Sequence, residues 1–270
     1  DFVEMYGLDY FEKSVEALEF FTTSSSSEFA VRPFIIKYPG KMMKQMMIWS
    51  KSENHHIRRL SSEGCRPRLP WAMALHEFKK DPTTVIKLLE KLKNDESEYV
   101  RRSVANNLND ISKDHPDLIL KLAKKWKGQS PETDQLIKHA CRTMLKNGVT
   151  EVLELFGFGN PEKIKLLDFN VDQNVKMGDK IQFGFSISSE EGQLGRLRIE
   201  YAIDFMKSNG KQSAKVFKIS EGNYQDSVKK ITRKYSFKKI TTRKYYSGLH
   251  GISIIINGKE FIRGEFILLD

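Results

Sequence analysis

The chain has 270 residues, 39% of them hydrophobic and 11% aromatic, which is typical of a soluble globular protein long enough for two domains. Its net charge of +10 favours a polyanionic partner, with nucleic acid ahead of a membrane surface. Cys65 and Cys141 are too few for a disulfide framework, and neither a membrane-spanning run nor a signal peptide is visible. We therefore expect a cytoplasmic protein without a membrane partner, and the first residue, Asp1, indicates a chain trimmed at its N-terminus.

Up to about Phe158, apolar residues recur at helical spacing, and prolines and glycines separate the periodic segments. The predicted helices cover Tyr10–Phe21, Glu28–Ile36, Met42–Trp49, Asn54–Gly64, Thr83–Leu92, Ser97–Ser112, Leu118–Trp126 and Thr133–Lys146.

A weak repeat links three of these helices. The tetrapeptides that begin at His56, Tyr99 and Leu136 are similar, and their offsets are 43 and 37 residues. Such spacings are typical of HEAT-type helix pairs, which stack into a curved solenoid, although chance similarity among amphipathic helices is the alternative. We assign residues 1–158 to this helical domain.

Beyond Pro161 the apolar period changes to two. Ile181–Ile187 and Leu197–Ile203 alternate with polar residues, and Asn257-Gly258 predicts a hairpin turn. About seven strands in this half indicate an immunoglobulin-like β-sandwich over residues 164–270, without the disulfide and tryptophan of antibody domains. The predicted fold class is thus a multidomain α + β protein, a HEAT-like helical solenoid followed by an all-β sandwich.

Positive charge is concentrated in the second half. From Leu166 onward there are 18 Lys/Arg against 12 Asp/Glu, and Lys229–Lys244 (KKITRKYSFKKITTRK) is the densest cluster. Lysines that protect a sheet edge and lysines that contact DNA phosphates both explain this pattern.

Two predicted helices carry arginines away from their apolar side. At about 100° per residue, the polar sides hold Arg59, Glu63 and Arg66 in one case and Arg102, Asn106 and Asp110 in the other. The 43-residue offset aligns Arg59 with Arg102, so stacked repeats would present one basic surface; an ordinary solvent face is the alternative. Prolines 67 and 70 stiffen the segment that carries Arg66 and Arg68, which favours arginines positioned against a duplex.

Three other residues have simple structural explanations. Ser25–Glu28 matches a capping box, with Ser at N-cap and Glu28 at N3. Asp110 resembles a solvated helix residue, and Trp71 a core residue. The six histidines show no metal-ligand spacing, and neither a phosphate-binding loop nor a nucleophile elbow is present, so we expect no metal and no cofactor.

Five motifs resemble the AlkC-type DNA alkylation repair glycosylases, which are related to AlkD. They are Glu28–Phe34 (EFAVRPF), His56–Leu60 (HIRRL), Ser62–Gly64 (SEG), Arg66–Ala72 (RPRLPWA) and Val100–Asp110 (VRRSVANNLND). The resemblance covers about Asp9–Phe156, and a C-terminal immunoglobulin-like domain matches one branch of that family.

The resemblance implies excision of cationic alkylated bases, 3-methyladenine and 3-methylcytosine, from double-stranded DNA. It also implies that the protein bends the duplex and does not flip the damaged base fully out of it. It implies Glu28, Asp110 and Trp71 as catalytic residues, a monomeric protein and association with the bacterial nucleoid. The DNA contacts expected with it are Arg58, Arg59, Arg66, Arg68, Arg102 and Phe29, together with the sandwich. Cys65, inside the most specific motif, receives no role.

The chemistry fits such a site. An N3-alkylated base is already cationic and leaves without a general acid, while the sugar gains oxocarbenium character that a carboxylate stabilises. Two alternatives remain open at this point, a non-catalytic DNA-binding solenoid and a protein-interaction solenoid.

Overall fold

The computed structural model describes residues 2–270, which form two compact units, one up to Met144 and one from Leu145 to Asp270. The helices are α1 (Phe2–Tyr6), α2 (Phe11–Thr22), α3 (Arg32–Lys37), α4 (Pro39–Trp49), α5 (His55–Gly64), α6 (His76–Lys80), α7 (Thr83–Leu92), α8 (Glu98–Ile111), α9 (Pro116–Trp126), α10 (Pro131–Ala140), α11 (Arg142–Lys146) and α12 (Thr150–Leu155). Among residues 2–270, none of these helices combines the length and apolar character that crossing a bilayer requires.

The helical unit is built around three helices that pack in series, since α8 lies against both α5 and α10. These are the helices that carry the three similar tetrapeptides, and their apolar residues Leu60, Val104 and Leu136 are buried. The predicted helical-repeat architecture is therefore confirmed.

Equivalent arginines of two repeats make the same backbone contacts. Nη1 of Arg58 donates to the carbonyls of Ser52 at 3.0 Å and Glu53 at 2.8 Å. Forty-three residues later, Nη1 of Arg101 donates to the carbonyls of Asp95 at 2.7 Å and Glu96 at 2.8 Å. In both repeats this arginine therefore closes the turn that precedes its own helix.

Several helix boundaries differ from the prediction. Prolines at positions 39, 116 and 131 are the first residues of α4, α9 and α10, because a proline at the first helical position has no backbone N–H to leave unpaired. The last predicted helix is interrupted at Cys141, which separates α10 from α11. The helices α1, α6 and α12 are too short to give a periodic signal.

The second unit contains a β-sandwich of eight strands, β1 (Ile164–Val171), β2 (Asn174–Lys176), β3 (Lys180–Ser189), β4 (Gly195–Met206), β5 (Gln212–Tyr224), β6 (Val228–Ser236), β7 (Gly248–Ile256) and β8 (Lys259–Leu269). One sheet has the order β1-β3-β6 and the other β2-β8-β7-β4-β5. The alternating apolar residues of β3, β4 and β7 form one core between them, with Phe183, Ile199 and Ile254 fully buried. The all-β prediction is confirmed, and the additional strand is the three-residue β2.

The Asn257-Gly258 hairpin joins β7 to β8 as predicted. Both residues have positive φ, 46° and 79°, the backbone that a two-residue turn of this type needs. A Cβ on Gly258 would lie 2.6 Å from Leu153 Cδ1 and 2.8 Å from Gly148 Cα, so the glycine also allows the turn to pack closely against neighbouring segments.

We expect Gly258→Ala to lower the free energy of unfolding by about 3 kcal/mol, because left-handed strain and a steric clash add together. Gly210→Ala is the matched control: Gly210 has φ of 75° but no atom within 4 Å of the added Cβ, so we expect a loss of about 1 kcal/mol from strain alone. Urea titration of the full chain measures both values, and equal losses would contradict the clash.

Candidate functional site

Glu28 does not lie in a helix. Residues 28–31 form a turn, and α3 begins at Arg32 with Val31 as its N-cap, so the capping-box prediction is wrong. The Glu28 carboxylate is held by side chains instead: Ser26 Oγ donates to Oε2 at 2.5 Å, and Nη1 of Arg59 donates to the same oxygen.

Arg59 connects this turn to the centre of the helical unit. Its Nη1 also donates to Ser26 Oγ at 2.9 Å, and its Nη2 lies 3.6 Å from Oε1 of Glu63. The guanidinium stacks over the ring of Tyr99, 4.7 Å from the centroid. Since the Arg59 and Glu28 side chains are only 14% and 16% exposed, the pair is partly desolvated and lies at the edge of the protein surface.

Asp110 is buried rather than solvated, with 2% of its surface exposed. A carboxylate so far from water requires a partner, and Nε of Arg66 donates to its Oδ2 at 2.8 Å. Nζ of Lys113 lies 3.5 Å from the other oxygen. The polar side of α8 is exposed at Arg102, half-buried at Asn106 and buried at Asp110, which the helical periodicity alone could not show.

A continuous series of ion pairs joins the two predicted catalytic carboxylates. We call it the ion-pair chain; its members are Glu28, Arg59, Glu63, Arg66 and Asp110. Its central carboxylate, Glu63, accepts from Nη1 of Arg66 at 2.6 Å. Burial alone would lower the pKa of Arg66, but its hydrogen bond to Asp110 and the charge of Glu63 raise that pKa above its usual value. Glu28 and Asp110 thus belong to one electrostatic unit.

Two arginines predicted to contact DNA are engaged inside the protein. Arg66 is 6% exposed and holds two carboxylates, and Arg58 is 8% exposed and donates to Asp95 as well as to main-chain carbonyls. Both side chains thus hold parts of the protein together, and their DNA contacts stay predictions.

The other predicted DNA contacts lie at the surface. Arg68 forms a partly exposed pair with Asp114 at 2.6 Å, and Arg102 is exposed on α8. Phe29, next to Glu28, has 44% of its surface exposed. Their DNA contacts remain predictions.

Trp71 is fully exposed, so the prediction of a core residue is wrong. Its φ of 61° lies in the left-handed region, which bulky residues rarely adopt. The turn around it is closed by the amide of Ala72, which donates to the carbonyl of Leu69 at 3.2 Å. The local fold therefore presents a large aromatic ring to solvent at the cost of backbone strain.

Arg32 anchors the segment that carries Trp71. Its guanidinium is completely buried and donates to the carbonyls of Gly64 at 3.0 Å, Arg66 at 2.9 Å and Met73 at 2.8 Å. Burial lowers the pKa of Arg32 to about 10, so the side chain is still cationic at neutral pH. The sequence analysis missed this residue, because its partners are main-chain atoms far away in the sequence.

Gly64 ends α5 where that helix meets the Glu28 turn. A Cβ at this position would lie 2.6 Å from Cγ1 of Val31, so only glycine permits the observed approach. Next to it, the Cys65 thiol is fully buried, and burial raises its pKa to about 12, so it is not a reactive thiolate at neutral pH.

Fold and site together define a helical-repeat protein with a C-terminal immunoglobulin-like domain, in which two arginines hold three acidic residues in one network. A family model described as "DNA alkylation repair enzyme" matches residues 7–151, and the "C-terminal Ig-like domain" of YhaZ matches residues 165–270. The chain belongs to the DNA alkylation repair enzyme family, and specifically to the AlkC-type members with an immunoglobulin-like domain, as predicted.

Three individual proteins illustrate what the chain is similar to. The chain is 51% identical over 261 residues to the uncharacterized protein YhaZ of Bacillus subtilis (strain 168), covering 96% of this chain and 72% of that protein. It matches Pseudomonas fluorescens alkylpurine DNA glycosylase AlkC, bound to DNA containing an abasic site analog, with a TM-score of 0.94 and 39% identity over 99% of this chain and 75% of that one. AlkD2 from Streptococcus mutans is 32% identical over 50% of this chain and 67% of its own, with a TM-score of 0.43.

We expect Arg66→Met to destabilise the protein by about 3–5 kcal/mol, because it leaves the buried carboxylates of Asp110 and Glu63 without their shared partner. Arg68→Met, two residues away on the same segment, removes only a partly exposed pair and should cost less than about 1 kcal/mol. Urea unfolding of the two variants checks the difference. A similar, small loss in both would show that the ion-pair chain does not depend on Arg66.

Proposed function

We propose that this protein is a DNA glycosylase that releases cationic alkylated bases, such as 3-methyladenine and 3-methylcytosine, from double-stranded DNA. The family assignment and the likeness to AlkC in complex with abasic DNA support this proposal. The observation that carries it is the ion-pair chain, which links Glu28 to Asp110 within the helical unit. A monomer in the cytoplasm, associated with the nucleoid, is the corresponding expectation.

The proposed reaction breaks the bond between C1′ of the deoxyribose and the alkylated nitrogen heterocycle. The bonding electron pair moves to the base, which leaves neutral because it was already cationic, and positive charge appears on the sugar. Water then adds to C1′ and gives up one proton. One carboxylate stabilises the sugar and the other orients or deprotonates the water, and a single oriented contact of this kind is worth about 3–4 kcal/mol of barrier.

Trp71 is proposed to lie beside the damaged nucleotide. Its exposed ring face suits contact with a cationic base. The aromatic quadrupole contributes about 0.5–2 kcal/mol to binding a cationic base and less to binding a neutral one. Its position on an exposed turn, rather than in the wall of a deep pocket, favours access to the lesion without complete base flipping.

Arg59 and Phe29 are proposed to contact the duplex next to the lesion. Arg59 is the member of the ion-pair chain whose charge can be drawn towards a phosphate, since it is more exposed than Arg66. Such a shift would loosen its pair with Glu28 and leave that carboxylate to face the sugar. Phe29 supplies an exposed apolar side chain one residue away from Glu28.

We expect Glu28→Gln and Asp110→Asn each to reduce the release of 3-methyladenine from methylated DNA by about 10²–10³, because the amides cannot stabilise a developing cation. Glu77→Gln is the control, since Glu77 forms an exposed pair with Lys80 on α6. Released bases are measured by chromatography under single-turnover conditions, and thermal unfolding confirms that the variants are folded. Undiminished release in both variants would favour a different site, and no release by the unmodified protein would favour a non-catalytic DNA-binding solenoid.

The immunoglobulin-like domain is proposed to add phosphate contacts. The basic cluster is only partly a strand: β6 ends at Ser236, and Lys238, Lys239, Arg243 and Lys244 belong to the loop before β7. This loop turns at a bridge between Ile240 and Arg243, and Ile240 is 51% exposed. β6 is also the edge strand of its sheet, so its own lysines are explained as residues that protect this edge from pairing with other strands. That explanation does not apply to the lysines of the loop.

We expect the double variant Lys238→Ser/Lys239→Ser to weaken DNA binding and to reduce the slope of log K against log salt by about 2, because each phosphate contact releases about one counterion. Lys163→Ser/Lys165→Ser is the control in the same domain, since these lysines are paired with Glu191 and Glu190. Fluorescence anisotropy with labelled duplex at several salt concentrations gives the slopes. An unchanged slope in the first variant would remove this loop from the DNA interface.

A further inference from the structure

Arg32 combines complete burial with an unusual set of partners. Within residues 2–270, its guanidinium donates hydrogen bonds only to main-chain carbonyls, those of Gly64, Arg66 and Met73, at distances of 2.5–3.0 Å. Burying a guanidinium without a directly bonded carboxylate is costly, so its retention calls for a role that an apolar side chain of similar size would not fill.

The three carbonyls lie on both sides of the Trp71 turn. Gly64 and Arg66 precede the turn and Met73 follows it, so one rigid planar group holds its two ends together. The amide of Leu75 donates to the carbonyl of Pro67 at 3.2 Å, which closes the same segment from within. The geometry therefore fixes where the strained Trp71 backbone projects.

Arg32 is also connected indirectly to the two carboxylates, through main-chain atoms next to Glu28 and through Arg66. It is the first residue of α3, and its amide donates to the carbonyl of Phe29 at 3.1 Å within the turn that carries Glu28. The backbone of Arg66 is bound by Arg32, while the side chain of Arg66 holds Asp110. The side chain of Arg32 thus binds the Trp71 segment and the backbone of Arg66, and its amide binds the turn that carries Glu28.

We infer that Arg32 is a positioning residue, which sets Trp71, Glu28 and the Arg66–Asp110 pair relative to one another for the proposed base excision. This inference rests on the proposed function. It adds a residue that touches neither the base nor the sugar and acts through the main chain of the Trp71 segment.

The test is Arg32→Lys, which retains the positive charge but cannot donate from one plane to three carbonyls. We expect the single-turnover rate of 3-methyladenine release to fall by about 10–100-fold, since small displacements of catalytic groups cost that much. Affinity for labelled duplex should change by less than about threefold, because the DNA-facing side chains remain. Amide hydrogen exchange at Ala72 and Leu75 should become faster, as their hydrogen bonds depend on the closed segment.

Arg101→Lys is the matched control, because Arg101 also closes a turn through two main-chain carbonyls, but away from Trp71. At temperatures well below unfolding, it should leave both the rate and the exchange at Ala72 unchanged. If Arg101→Lys lowers the rate as much as Arg32→Lys, or if Arg32→Lys keeps the unmodified rate, the positioning role is overturned. If the unmodified protein releases no base, the proposed function fails, and the exchange measurement still decides whether Arg32 holds the segment.

Discussion

The structure of the helical unit depends on how it accommodates buried charge. Asp110 and Glu63 are almost without solvent, and Arg66 lies between them and pairs with both carboxylates. Arg66 in turn occupies that position because its segment is held at the end of α5. Removing the charge of any one of these side chains leaves an unpaired ion in the interior. Helix packing and the position of the carboxylates therefore depend on each other.

The same constraint separates two classes of arginine that the sequence does not distinguish. Arg58 and Arg101 contact the backbone of the turn before their own helix, and this repeats at the period of the fold. Arg59 and Arg102, one residue later, face outward or towards acidic groups. In each of these two tetrapeptides the first arginine thus closes the turn of its own repeat, and the second lies towards the surface or towards acidic groups.

The fold was largely predictable and the site only in part. Period and turn chemistry identified the helical half, the sandwich strands and the Asn257-Gly258 hairpin, because these signals are local. The environment of Glu28 was not predictable, since the serines that precede it are as common at a helix cap as in a turn. The burial of Asp110 could not be predicted either, because the segment that covers it comes from elsewhere in the chain. The role of Arg32 left no pattern in the sequence, because its partners are main-chain carbonyls, which every residue has.

The left-handed backbone at Trp71 has a consequence for studying substitutions there. Residues that are not branched at Cβ, such as phenylalanine, tyrosine and leucine, bear a similar conformational penalty at this position, whereas glycine is relieved of it. Phenylalanine, tyrosine and leucine variants can therefore be compared directly, because the main-chain contribution to their stability is nearly the same. Differences among them report on the size and electron distribution of the side chain. A glycine variant lies outside that series, since it gains stability while losing the ring.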